Sequence, residues 1–197
     1  EYALLIASVL IFISLIAGKT SYKFGVPVLL FFMTIGMLAG SEGVLGIYFD
    51  DHAMAQAIGI IALNFILFSG GFETDWGTIK PIVWHGISLS TLGVVLTAVF
   101  VGIFIHAITD FSIYEGLLLG SIVSSTDSAA VFSILRSKGL ALKGNLRPTL
   151  ELESGSNDPM AYALTIAFTE LVANPAASPA GMIPIFCKQI IIGIAFG

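Results

Sequence analysis

Two apolar stretches that are long enough to cross a bilayer carry, inside them or at their edges, carboxylic acids that include Asp127, Glu151, Glu153 and Asp158. Neither stretch contains a basic residue that could balance these charges. A carboxylate near the bilayer midplane costs about 2.5 to 3.5 kcal/mol on insertion scales, so an unpaired intramembrane acid indicates a functional site. Carboxylate oxygens bind hard cations and protons, and the pattern therefore indicates ion binding.

The composition is that of a membrane protein. Of the 197 residues, 56% are hydrophobic and only 11% are charged, and the mean hydropathy is +0.98, far above what a soluble domain needs. A net charge of -5 with eight Lys and Arg residues argues against nucleic-acid binding. The single cysteine, Cys187, rules out an intrachain disulfide and a cysteine metal cluster.

Charged residues, Gly and Pro divide the chain into stretches of membrane length, since a crossing helix needs about 20 residues. Six complete helices and the start of a seventh are predicted: Tyr2 to Gly18, Phe24 to Gly40, Ala53 to Phe72, Pro81 to Ala107, Ser112 to Leu135, Pro148 to Leu171, and a last one from Met182. No long linker separates them. We therefore expect an all-α, polytopic membrane helix bundle that forms one transmembrane domain over residues 1–197.

The basic residues in the predicted loops fall in every second loop: Lys19, Lys23, Lys80, Arg136, Lys138, Lys143 and Arg147. The positive-inside rule places these loops in the cytoplasm and the amino terminus outside. Asp127 precedes Arg136 by nine residues and Asp158 follows Arg147 by eleven. At about 1.5 Å per residue, both acids lie roughly 14 to 17 Å deep, near the midplane. Neighbouring antiparallel helices would bring them to one site there.

The first of the two acidic stretches combines small and polar residues. Small residues recur at 116, 120, 124 and 128 and predict close helix packing. Five consecutive polar side chains, Ser124 to Ser128, can compete for backbone groups and unwind the helix locally. A continuous helix whose hydroxyls bond its own carbonyls is the alternative, but the acid at Asp127 favours a discontinuous helix.

The second stretch carries a polar face. Four polar side chains fall within an arc of about 140 degrees on a helix: Glu153, Ser154, Asn157 and Asp158. Pro159 lacks an N–H, so the carbonyl of Gly155 loses its helical donor and can turn toward a cation, and a kink is expected. Glu151 lies one turn from Arg147 and is interpreted as a surface or capping charge.

The strings Ser124-Ser-Thr-Asp-Ser-Ala-Ala-Val-Phe132 and Glu151-Leu-Glu-Ser-Gly-Ser-Asn-Asp-Pro159 resemble the paired motifs of the monovalent cation/proton antiporters. Within the sodium/proton exchanger branch they are most similar to the bacterial NhaP-type potassium/proton antiporters. The resemblance covers the whole chain and matches the amino-terminal half of that fold. It implies that Thr126 and Asp127 lie at the break of a discontinuous helix and that Asp158 carries the ion and the proton. Glu153 and Ser154 would complete the site, and Asn157 would brace it.

The resemblance also implies what surrounds the site. The family fold is an inverted repeat whose second half supplies another broken helix and a basic residue near the acids, and no such segment follows Gly197. We therefore expect the chain to be inactive without a carboxy-terminal half, as a fragment or as part of a split protein. We expect a multi-pass homodimer surrounded by lipid in the inner (plasma) membrane. It would be a transporter, not an enzyme, with no cofactor besides the transported K⁺ or Na⁺ and H⁺.

The expected mechanism is competition at Asp158, because one buried carboxylate exchanges a proton for a cation. Position 157 is Asn rather than a second Asp, so we expect electroneutral exchange of one proton per cation. Gly155, Ser156 and Pro159 depart from the commoner sodium-exchanger pattern and favour potassium.

Three alternatives remain from the residues alone. A cation channel also lines its path with acids, but it needs an open pore rather than an occluded competitive site. An intramembrane aspartyl protease pairs two acids on neighbouring helices, but this chain lacks the Gly-x-Gly-Asp arrangement of such enzymes. A purely structural membrane subunit is disfavoured by the cost of burying the acids.

Overall fold

A computed structural model describes residues 2–24, 26–73, 75–174 and 176–196. These residues form helices and contain no strand. The α-helices are α1 (Tyr2–Phe24), α2 (Val28–Ala39), α3 (His52–Glu73), α4 (Trp76–Ile79), α5 (Val83–Ser88), α6 (Val94–Ile108), α7 (Ile113–Ile122), α8 (Ser128–Ser137), α9 (Leu146–Ala173) and α10 (Pro179–Phe196). A 3-10 turn (Lys80–Ile82) lies between α4 and α5, and a π-helical segment (Leu89–Gly93) lies between α5 and α6.

The predicted all-α class is confirmed. The helix at Ser112 to Leu135 is discontinuous, as expected, because α7 ends at Ile122 and α8 begins at Ser128. The first predicted helix was too short: α1 continues to Phe24 rather than ending at Gly18. Hydrophobicity marks the part of a helix that lies in lipid, not the end of the helical backbone, so the polar last turn of α1 was missed.

Many large apolar side chains are exposed, and several polar side chains are buried. Four phenylalanines of α1 and α3 are between 65% and 82% exposed: Phe12, Phe65, Phe68 and Phe72. Ser121 and Asn157 are 0% exposed. Soluble proteins rarely expose contiguous apolar surface on this scale. Two helical stretches, His52–Ser69 and Trp76–Ile108, are long and apolar enough to span a bilayer, and the other apolar helices are shorter. The protein is a membrane protein.

The chain divides into two compact units. One contains α1, α2, α3 and α8, in which α1 packs against α2 and touches α8. The other contains α4 to α7, α9 and α10. In this second unit, α7 packs along α6, and α9 packs against α7, α5 and the π-helical segment. That residues 1–197 make one transmembrane domain stays a prediction.

Glycines allow the close approach of α6 and α7. A Cβ atom added at Gly116 would overlap the carbonyl oxygen of Gly102, and one added at Gly120 would overlap the carbonyl oxygen of Ala98. A Cβ at Gly102 would lie 2.8 Å from the Cα of Leu117. The small residues predicted to permit close packing do so at Gly116 and Gly120.

Side-chain caps fix where two of the helices in this unit begin. Ser112 and Glu115 form a capping box at the start of α7, with Ser112 N–H donating to Glu115 Oε2 at 2.7 Å and Glu115 N–H donating to Ser112 Oγ at 3.3 Å. Asp75 caps α4 and accepts hydrogen bonds from the Thr78 hydroxyl at 2.6 Å and from Gly77 N–H at 3.2 Å. These bonds, the one from Thr78 first, lower the pKa of Asp75 below its ordinary value.

Candidate functional site

The break after α7 is built from serine hydroxyls that bond the backbone. Ser121 Oγ donates to the carbonyl of Leu117 at 2.8 Å, and Ser124 Oγ donates to the carbonyl of Ser121 at 2.7 Å. Both serines are buried, so these bonds satisfy polar groups that would otherwise be unpaired. The helix stops here, and residues 125–127 are not helical.

The opposing element is continuous. Helix α9 runs for 28 residues through Pro159, and its polar residues therefore share one face. The kink expected at Pro159 stays a prediction. Because α9 packs against α7 in the same unit, this polar face meets the end of α7 and the first residues of the break.

Thr126 is held by α9 through both its side chain and its backbone. Its hydroxyl donates to the two carboxylate oxygens of Glu153, each at 3.0 Å. Its carbonyl oxygen accepts from Ser154 Oγ at 3.0 Å and from Asn157 Nδ2 at 3.2 Å. Thr126 is thus held by three side chains that lie within about one turn of α9, two of which bond its backbone carbonyl.

Asn157 occupies the centre of this arrangement and is 0% exposed. Its Nδ2 group donates to Thr126 Oγ1 at 2.7 Å and to Glu153 Oε1 at 3.0 Å. Its Oδ1 atom accepts from Ser125 Oγ at 3.2 Å. A neutral amide can donate and accept at once, and Asn157 thereby connects the broken segment to the acidic face of α9.

Asp158 joins the same group through Ser125, whose hydroxyl donates to Asp158 Oδ1. The sequence identifies Ser125 as one of five polar residues that loosen the helix, but it does not predict the contact with Asp158. Ser125 is next to Thr126 in the sequence, which places it near the site. Neither composition nor helical spacing shows where a side chain of an unwound segment points.

The remaining predicted site residues lie as follows. Asp127 belongs to the other compact unit, immediately before α8, and its side chain is exposed. Gly155 and Pro159 are exposed positions of α9. Glu151 forms an exposed ion pair with Arg147, with Oε1 2.9 Å from Nε, which confirms its interpretation as a surface charge.

The group that the structure brings together consists of oxygen-bearing residues with a single amide between them: Ser125, Thr126, Glu153, Ser154, Asn157 and Asp158. We call these six residues the acidic cluster. Carboxylate, hydroxyl and carbonyl oxygens are hard ligands, which suit alkali cations and protons better than transition metals. Within the cluster Asn157 is buried and Thr126 is exposed, and the other four residues are half-buried.

The sequence was compared with known proteins. Residues 7–197 match the family described as "Sodium/hydrogen exchanger, transmembrane". The chain is 45% identical over 98% of its length to the "K(+)/H(+) antiporter NhaP" of Alkalimonas amylolytica and 41% identical over 98% to the "K(+)/H(+) antiporter NhaP2" of Shewanella sp. strain ANA-3. It is 29% identical over 77% of its length to the "Probable Na(+)/H(+) antiporter 2" of Methanocaldococcus jannaschii.

The chain spans about a third of the length of these relatives, 34% of the first two and 36% of the third. The family match covers all residues of the acidic cluster, and the relatives carry the names of transporters rather than enzymes. This chain belongs to the sodium/hydrogen exchanger family of transmembrane proteins.

Proposed function

We propose that this chain is part of a secondary active antiporter that exchanges K⁺ or Na⁺ for protons across a membrane. The observation that carries the proposal is the placement of Asp158 on the polar face of α9, against the non-helical residues that follow α7. Transporters form ion sites near the midplane of the membrane from broken helices that pack against an intramembrane acid. The names of the relatives favour antiport over a channel or an intramembrane protease.

The cation is held by oxygens of the acidic cluster. Asp158 supplies the charge, and Glu153, Ser154 and Thr126 supply further ligands. The hydroxyl of Ser154 and the carbonyl of Thr126 already bond each other at 3.0 Å, so both oxygens lie where one ion could contact them after a small rotation. Asn157 braces the cluster, because its amide holds Thr126 and Glu153 together. Pro159 has no N–H, so the carbonyl of Gly155 lacks its helical donor and can turn toward the cation. Asp127, which follows Thr126 in the sequence, is proposed as a further supporting residue.

Exchange follows from competition at Asp158. A carboxylate that has accepted a proton no longer attracts a cation, and one that holds a cation resists protonation. The site therefore carries either a proton or a cation each time it changes from opening on one side of the membrane to opening on the other. Asn157 has no charge to titrate, so one proton is exchanged per cation and the cycle is electroneutral. A proton-dependent current in vesicles would contradict this stoichiometry.

Potassium is the proposed cation, because two relatives that are 45% and 41% identical to this chain are named K⁺/H⁺ antiporters and because Gly155 and Ser156 depart from the sodium-exchanger pattern. We also propose that the protein is a multi-pass homodimer of the inner (plasma) membrane with its amino terminus outside. The basic loops support this orientation. Segments beyond this chain would complete the transport path.

The test is cation-dependent proton flux in vesicles that contain the full-length protein, with K⁺ and Na⁺ compared. Asp158→Asn keeps the shape of the side chain and removes its charge, so we expect flux to fall to the level of empty vesicles. Glu151→Gln removes a charge two turns away on the same helix, where it pairs with Arg147 at the surface, and should leave flux close to wild type. Wild-type flux from Asp158→Asn would rule out the site.

A further inference from the structure

We propose that Ser125 is a further cation ligand whose hydroxyl changes its hydrogen-bond acceptor when a cation binds to Asp158. The inference rests on the proposed function, since it assigns a role in the same exchange cycle. Ser125 Oγ has two acceptors on neighbouring residues of α9, Asp158 Oδ1 and, at 3.2 Å, Asn157 Oδ1. A hydroxyl has one proton, so it can donate fully to only one of them.

The charge on Asp158 decides which acceptor is used. When the carboxylate is ionised and holds no cation, it is the stronger acceptor, and the Ser125 hydroxyl donates to it in a charge-assisted hydrogen bond. When a cation binds to Asp158, that advantage is lost and the hydroxyl donates to Asn157 Oδ1. Rotation about the side-chain bond then turns a lone pair of Ser125 Oγ toward Asp158, where it can bind the cation.

Asn157 is suited to receive this proton because its amide cannot reverse freely. Its Nδ2 group is held by Thr126 Oγ1 at 2.7 Å and by Glu153 Oε1 at 3.0 Å, and both are acceptors. A reversed amide would place Oδ1 against these oxygens. The bonds therefore keep Oδ1 directed at Ser125 in a residue that is 0% exposed.

This change of acceptor matters for the step in which a cation binds to Asp158. Before a cation binds, the Asp158 carboxylate is unoccupied in a partly buried position, which is costly, and the bond from Ser125 stabilises it. After a cation binds, a lone pair of Ser125 becomes a ligand, and we expect this contact with the cation to be the stronger of the two. Loss of the hydroxyl should therefore weaken cation binding more than it slows turnover.

Ser124 provides a matched control in the same tract. It is also a serine after α7 and is 3% exposed, but its hydroxyl donates to the carbonyl of Ser121 at 2.7 Å rather than to the acid. A general effect of removing a hydroxyl from the broken segment would appear in both variants. A role as a ligand would appear only at Ser125.

The experiment measures KM for K⁺ and the maximal rate of exchange for full-length protein in vesicles. For Ser125→Ala we expect KM to rise about tenfold, as for loss of one hydrogen bond to a charged group, with the maximal rate reduced much less. Ser125→Thr keeps the hydroxyl and should restore KM to near wild type, while Ser124→Ala should not change KM. If Ser125→Ala does not fold, Ser125→Cys preserves the shape with a soft sulfur that alkali cations bind poorly and should show the same rise.

An unchanged KM in Ser125→Ala would overturn the inference, as would an equal rise in Ser124→Ala or a Ser125→Thr variant as impaired as Ser125→Ala. Asp158→Asn in parallel separates this result from failure of the proposed function. Loss of flux in Asp158→Asn together with a normal KM in Ser125→Ala would refute the role of Ser125 alone. Wild-type flux in Asp158→Asn would refute the exchange site itself.

Discussion

At the scale of single residues, Asn157 determines how the acidic cluster is organised. It is the one amide among carboxylates and hydroxyls, it is fully buried, and its side chain bonds Ser125, Thr126 and Glu153. Without the Nδ2 group of Asn157, the carboxylate of Glu153 would lose the hydrogen bond from the amide and keep the one from the Thr126 hydroxyl. A buried acceptor that loses its donor costs about 1 to 3 kcal/mol, and more when the group is charged.

We predict that Asn157→Ala lowers the stability of the folded protein by about 1 to 3 kcal/mol, because it removes the hydrogen bonds of a fully buried side chain to Ser125, Thr126 and Glu153. The measurement is thermal unfolding of full-length protein in detergent. Asn64→Ala is the control, since Asn64 is an exposed residue in the middle of α3, and it should change the unfolding temperature little. Equal unfolding temperatures for wild type and Asn157→Ala would show that the amide does not hold the cluster together.

The residue scale is also where sequence reasoning is weakest. Helical spacing correctly placed Glu153, Ser154, Asn157 and Asp158 on one face, because the geometry of a helix is regular. It could not show that Ser125 rather than another residue of the tract bonds Asp158. In an unwound segment the backbone angles are set by tertiary bonds, here those of Thr126 with α9, and no periodicity carries that information.

At the scale of elements, a polar break opposite a continuous helix is what brings these side chains together. Helix α7 lies against α6 through glycine contacts and ends where Ser124 bonds back to Ser121. The break could be predicted, because consecutive hydroxyl residues offer the backbone other partners. The π-helical segment Leu89–Gly93 could not, because its Ser, Thr and Gly residues are also found within α-helices and do not distinguish the two kinds of helix.

We predict that Gly120→Ala destabilises the packing of α6 on α7, because the added methyl group would overlap the carbonyl oxygen of Ala98. Overpacking of this kind typically costs about 1 to 3 kcal/mol. Thermal unfolding of the full-length protein measures the effect. Gly93→Ala is the matched control: its φ of -59° and ψ of -48° suit alanine, and no atom lies within 4 Å of the added methyl.

Gly93→Ala should be neutral or slightly stabilising, because alanine has the higher helix propensity. If both glycine variants unfold at the wild-type temperature, the backbones of α6 and α7 are not as close as the glycine contacts indicate.

At the scale of the whole molecule, the exposed apolar side chains and the buried polar residues are typical of a protein that lies in a lipid bilayer. Composition and the spacing of charges were sufficient to predict this, because the thickness of a bilayer fixes the length of its helices. The chain covers about a third of its K⁺/H⁺ antiporter relatives. Residues that lie outside it, and that would line the rest of a transport path, could not be predicted from its sequence.

The central claim is that a proton and a cation compete for Asp158. The direct measurement is the initial rate of K⁺/H⁺ exchange by full-length protein in vesicles. KM for K⁺ and the maximal rate are determined over a series of pH values on the side from which K⁺ enters, with the pH on the other side held constant. Competition at one carboxylate predicts that KM rises as the pH falls, approaching about tenfold for each pH unit, while the maximal rate stays constant. A maximal rate that falls on acidification at constant KM would place the proton at a different group and contradict the account.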